Sequence, residues 1–201
     1  MITALLVILV IFILPVLAVL TGLVRQSYKM IVLAVATVAA LFIAVLLKLS
    51  AFELGIRTDN LSHSLLPYVA FTALGLLVIF VLAKIFNRIP QRNWYKDWRF
   101  LFLFIPISFA QEFLFRGFLM VELHVLVQSF IALILVNAVL FMFIHALYPP
   151  LKLSLPLGFV TGVAFSWVYL VFPNLILIGI AHSILNFFAV LFGFFNNEYE
   201  K

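Results

Sequence analysis

Long, uninterrupted apolar runs dominate this chain and leave it few folds to choose from. Of its 201 residues, 67% are hydrophobic and only 9% are charged, and the mean hydropathy is +1.32. That leaves too little polar surface to cover a water-soluble globule. Barrel strands would read as short alternating segments. Continuous apolar runs of about 20 residues instead satisfy their backbone within helices, each long enough for roughly 30 Å of hydrocarbon. The expected fold is therefore all-α, a polytopic membrane helical bundle of about seven transmembrane helices. Its crossings are expected at about 2–24, 30–49, 64–84, 100–121, 125–147, 153–171 and 174–194.

Charge placement orients the bundle. Arg25, Lys29, Lys84, Arg88, Arg92, Lys96, Arg99, Lys152 and Lys201 flank the crossings on one side, leaving mainly Lys48 and Arg57 on the other. The positive-inside rule then puts the N-terminus outside and the C-terminus in the cytoplasm of a multi-pass cell-membrane protein. The first crossing lacks a charged leader and a small-residue cleavage site, so it is expected to be a retained helix. The net charge of +5 suits contact with lipid headgroups, and nucleic acid is not an expected partner. With no cysteine, disulfides, thiolate metal sites and a covalent cysteine step are excluded for this chain. The segment "KIFNRIPQRNWYKDWRF", with Trp94, Tyr95 and Trp98 among basic residues, reads as amphipathic and lying at headgroup level. It divides the chain into N-terminal helices with this segment (1–99), a core (100–194) and a tail (195–201).

Pro106 is expected to kink the fourth crossing just before Gln111. Pro149 and Pro150 should end the fifth, and "FPN" at Phe172 to Asn174 should turn the chain between the sixth and seventh. Gly158, Gly162 and Ser166 are spaced to let another helix approach closely, and packing is their simplest role.

The strong polar groups within crossings are confined to the later ones. Glu112 and Arg116 are one turn apart on the fourth, Phe141 and His145 on the fifth, and His182 and Asn186 on the seventh, so each pair shares a helix face. A charge at bilayer centre costs about 2.5–3.5 kcal/mol on insertion scales, so such residues are usually paired, interior-facing and functional. If the three faces converge they form a pocket of carboxylate, guanidinium, two imidazoles and an amide, with Gln111 about 100° around the helix from Glu112. The first three crossings carry only Thr, Ser and Lys near their ends. Asn137 is expected to be a helix contact, and His63, His124 and Glu122 to be solvated at loops or helix ends.

The stretches "QEFLFRGF", "FMFIHAL" and "HSILNFF" resemble the CPBP family, the CAAX-protease and bacteriocin-processing (Abi) membrane proteins. That family's pattern is E-E-x-x-x-R, then F-x-x-x-H, then H-x-x-x-N, on separate membrane helices. The "FELGIRTDN" loop and the "LPLGFVTGVAFSWVY" helix also look familial, so the likeness extends over about 52–192. The resemblance implies a CPBP-like bundle and a bacterial intramembrane peptidase acting on a membrane-associated peptide or lipoprotein. Position by position it implies that His145 polarises a water, that His182 and Asn186 face the oxyanion, and that Arg116 holds Glu112. Where the family has its first glutamate this chain has Gln111, and a carboxamide cannot accept a proton at neutral pH. A non-proteolytic homologue is thus the alternative: an acyl-transfer component of lipoprotein N-acylation working with a partner protein, or an immunity or other binding subunit. Besides lipids and substrate, a second protein subunit is then a possible partner. No cofactor is expected, because the water-activating scheme uses these residues without a metal. Two histidines and a carboxylate would still make a plausible zinc set.

Overall fold

The protein is described by a computed structural model covering residues 1–96 and 102–194. Arg99, Trp98, Lys201, the proposed boundary near residue 99 and the 195–201 tail lie outside the described residues. Among the described residues there is no strand. The main helices are α1 (Ile2–Leu20), α2 (Gln26–Leu46), α3 (Leu61–Ile85), α4 (Phe104–Leu126), α5 (Phe130–His145), α6 (Leu151–Val171) and α7 (Leu175–Leu191). Five are long and apolar enough to cross a bilayer, and α5 and α7 are shorter apolar helices. The chain is thus an all-helical membrane bundle, with each helix within a few residues of its expected crossing.

The bundle is organised around α4. All ten residues from Gln111 to Met120 are buried, as in a helix enclosed on every side. Of its most apolar window 67% is buried, against 6% for α3. The outer helices instead present Leu, Val, Ile and Phe to the surroundings, including Val35, Leu66 and Leu77, which suits contact with lipid tails. The hairpin of α5 and α6 is the most extensive helix pairing. A Cβ added at Gly162 would lie 2.9 Å from the Ala138 Cα, so the small residues do let the two backbones close up as expected. The neighbouring Ser166 hydroxyl donates to Asn137 Oδ1 at 3.0 Å.

Two wide, π-helical stretches interrupt the helices. In α1, Leu9–Ile13 precedes Pro15, whose missing N–H and bulky ring disturb an ordinary helical ladder. In α4, Phe113–Phe118 begins immediately after Glu112. The irregularity anticipated at Pro106 therefore falls later along the helix. Pro106 lies in the first turn of α4, where the N–H it lacks has no intrahelical role.

Each end of the bundle is tied by hydrogen bonds between loops. At one end, Ser50 and Glu53 cap each other: Ser50 N–H and hydroxyl both donate to Glu53 Oε2 at 2.7 Å. Those bonds, the backbone one foremost, hold the Glu53 carboxyl below its ordinary value. Gly55 follows at φ +76°, and a Cβ there would sit 2.0 Å from the Tyr169 hydroxyl oxygen. Only glycine fits that conformation against that ring. The Gly55 carbonyl then accepts from Leu175 N–H at 2.7 Å. Asn174, at the start of α7, accepts from Leu177 N–H at 3.0 Å and donates to Asn60 Oδ1 at 2.8 Å, which links the loop to the helix cap. At the other end, the Gln26 side chain donates to the Leu147 carbonyl, and Gln91 N–H donates to the Leu191 carbonyl at 2.9 Å.

Glu122, read from sequence as solvated, is 5% exposed, because α1 packs along the end of α4 that carries it. His124 is exposed, as expected, although it lies within α4. His63 is also exposed but opens α3, with its ring 5.7 Å from that of Phe172.

Candidate functional site

The wide stretch of α4 places Glu112 and Arg116 at the centre of the bundle, each 0% exposed. Arg116 Nε lies 3.3 Å from Glu112 Oε2, and its Nη1 lies 3.4 Å from Oε1. Nη2 donates to the Gly162 carbonyl of α6 at 3.4 Å. The guanidinium carbon sits 4.4 Å from the Phe141 ring centroid and 5.4 Å from that of Phe165. Arginine suits such a place, because its planar, weakly hydrated cation both forks to a carboxylate and stacks on aromatic faces.

The other Glu112 contact reaches across to α7, where His182 Nδ1 lies 2.5 Å from Oε1. This is the shortest polar contact of the cluster and joins two helices seventy positions apart in sequence. A carboxylate on Nδ1 fixes the imidazole tautomer and turns Nε2 away from the acid. Asn186, one turn further along α7, donates to Ser108 Oγ at 3.4 Å, a long bond. Ser108 is fully buried one turn before Glu112 on α4. His182 is 9% exposed, so it is the member of the acid–imidazole pair that reaches toward the outside.

His145, the last residue of α5, joins this cluster through an aromatic side chain. Its Nδ1 bonds to the Phe141 carbonyl at 2.7 Å. The Phe141 ring stands 4.6 Å from the His145 ring and 6.1 Å from that of His182. The His145 ring rests on α6 at Gly158, where an added Cβ would meet its Cγ at 2.8 Å. Counting helical rise from the span limits separates Glu112 and His145 in depth. The Phe141 ring spans that separation, lying under Arg116 and beside His145.

Gln111 does not share this face. It is buried, lining a separate cleft with residues of α1, α2 and the end of α5, as the turn of about 100° per residue requires. The structure thus gathers Glu112, Arg116 and His182 in direct contact, with Asn186 and His145 beside them and Gln111 apart.

Several neighbours went unrecognised in the sequence. Gly158 and Gly162 were read as packing residues, yet one seats His145 and the other offers its carbonyl to Arg116. Ser108 carried a usable signal, since it lies four residues before Glu112 on the same helix face. Phe165 carried none, because nothing in a lone Phe among many marks it as lying under a buried guanidinium. Asn137 is a helix contact, as expected: its Nδ2 donates to the Phe115 carbonyl inside the wide stretch of α4 at 2.7 Å.

The donor set does not gather as a metal site. Among the described residues no group of three His, Cys, Asp or Glu comes together, and both Glu112 oxygens face Arg116 or His182.

No match to the chain was found among curated proteins or among solved structures. A family model, type II CAAX prenyl endopeptidase Rce1-like, matches residues 93–188. That stretch contains all three sequence motifs, carried by α4, α5 and α7, and spans α4 to all but the last turn of α7. Motif order, helix placement and this match over nearly half of the chain agree in supporting membership of the CPBP family of CAAX-protease-like membrane proteins.

Proposed function

We propose that this chain is an intramembrane peptidase of CPBP type, cleaving a membrane-associated peptide or lipoprotein, with His182 as its general base. The observation that carries this reading is the 2.5 Å contact between His182 Nδ1 and Glu112, with Arg116 balancing the buried charge. Glu112 is too enclosed to touch a substrate, so its role is to orient His182 and to stabilise the imidazolium that forms. An acid–imidazole pair of this kind needs no carboxylate at position 111, and the Gln111 departure from the family pattern therefore leaves a base in place. His182 Nε2 takes a proton from water as the water oxygen bonds to the scissile carbonyl carbon. The same proton passes to the leaving amine as the C–N bond breaks. Asn186 Nδ2, held only by its long bond to Ser108, swings to the developing oxyanion. His145 and Arg116 position the water and the acid respectively.

A membrane-anchored, dye-quenched peptide in liposomes containing the purified protein tests this. His182→Ala and Glu112→Gln should each lower turnover by about 10²–10⁴, whereas Gln111→Glu should bring no gain. A large gain with Gln111→Glu, or turnover indifferent to His182→Ala, would overturn the assignment of the base. Absence of any turnover, with lipoprotein N-termini altered in a deletion strain, would favour the acyl-transfer alternative.

A further inference from the structure

A second cleft lies on the other side of α4, and the activity proposed above does not use it. It is bounded by α1, α2, α4 and the end of α5, is open on one side and has a cavity volume of about 50 Å³. Ile11, Phe12, Val32 and Leu114 make its walls apolar, while Lys29 and Tyr148 stand among its lining residues. Gln111 is its buried polar group: it is 5% exposed and its carboxamide makes no hydrogen bond to another described residue. The amide opens into the cleft instead of being sealed off, so the cleft is where a hydrogen-bonding partner would enter. Lys29 lies in the first turn of α2 with Arg25 just before it. Two cations and a helix N-terminus at one place favour an anion.

We propose that this cleft binds one anionic phospholipid. The acyl chain lies along the walls formed by α1 and α2, a glycerol-ester carbonyl accepts from Gln111 Nε2, and the phosphate faces Lys29 and Arg25. The arrangement matches a single amphiphile: apolar length, one hydrogen-bond acceptor partway along, and negative charge at the end. Every element of that match is set by residues outside the Glu112–His182 pair, so the site holds lipid whether or not the chain hydrolyses peptides.

Native mass spectrometry of the detergent-purified chain, titrated with palmitoyl-oleoyl phosphatidylglycerol or the matching phosphatidylcholine, tests this without reference to activity. One bound phosphatidylglycerol should be retained about thirtyfold more strongly than phosphatidylcholine, the ratio given by roughly 1 kcal/mol for each of the two headgroup-facing cations. Lys29→Glu should abolish that preference. Gln111→Leu, which keeps the volume and removes the amide, should weaken retention of both lipids. Circular dichroism and gel filtration confirm that each variant is folded, and partly exposed Lys29 poses no threat to the core. Equal retention of the two lipids by the wild type would mean an undiscriminating apolar slot and would overturn the proposal. So would retention of neither, which would leave the cleft to a protein segment. Loss of preference in Lys29→Glu with no effect of Gln111→Leu would place the lipid on the surface and equally refute the site.

Discussion

Glu112 and Arg116 are two fully buried charges, and their energetics govern what substitution does. Attraction between such a pair is offset by desolvation, so the pair adds little net stability, whereas removing one partner strands the other at a cost of about 3–5 kcal/mol. Glu112→Gln should therefore destabilise the purified protein by roughly that amount, while the double change Glu112→Leu with Arg116→Met should recover most of it. Denaturant titration of the wild type and both variants in mild detergent reads both numbers. If the single variant is as stable as the wild type, the Glu112–Arg116 contact carries no structural weight. The charges would then persist for chemistry alone. The Arg116 guanidinium also stacks on Phe141 and Phe165, so the conservative change Arg116→Lys loses both the fork and the stack and does not substitute for it.

At the level of helices, the site depends on how closely α6 approaches α5. Gly158 and Gly162 lie one turn apart on α6, but what each would strike differs. A methyl at Gly162 meets the Ala138 backbone 2.9 Å away, so the whole α5–α6 hairpin has to open and the carbonyl that Arg116 uses moves with it. A methyl at Gly158 meets the His145 ring and its Cβ, so the first thing to move is the histidine. Gly162→Ala should thus cost about 1–3 kcal/mol of stability, as overpacking typically does. Gly158→Ala should lower peptidase turnover more than it lowers stability. Thermal unfolding measured beside liposome turnover separates the two; equal stability losses with equal activity losses would show that both glycines serve packing alone. The wide stretch of α4 depends on a similar support, because Asn137 takes up the Phe115 carbonyl and passes its own oxygen to Ser166.

On the scale of the whole molecule, alternating crossings group Arg25, Lys29, Lys84, Arg88 and Lys152 at one end of the bundle. The Ser50 to Asn60 loop, the Phe172–Asn174 turn and Glu122 lie at the other. A cysteine-free chain is well suited to single-cysteine labelling. If the N-terminus lies outside, as the positive-inside rule assigns, a membrane-impermeant maleimide should label Thr58→Cys in intact cells and Ser27→Cys only after lysis, both positions being exposed. The reverse pattern would invert the topology that the positive-inside rule assigns. Much of this architecture was readable from one-dimensional pattern. Hydrocarbon thickness converts apolar run length directly into crossings, and a 3.6-residue turn converts spacings of four into shared faces, so the helices, their order and the three polar pairs follow from local periodicity alone. The partner that each face meets depends on distant segments and on a local rule-breaking turn, neither of which leaves a periodic trace. Periodicity did not reveal that Glu112 would reach His182 on α7 while His145 bonded the Phe141 carbonyl one turn back on α5, or which helices would wall the cleft that Gln111 opens onto. Nor did it show that Glu122 would lie under α1. Those outcomes rest on a six-residue π-helical stretch and on glycines that let α6 close over α5: close packing admits only one way of fitting such surfaces together, and that fit exists only once every helix is in place.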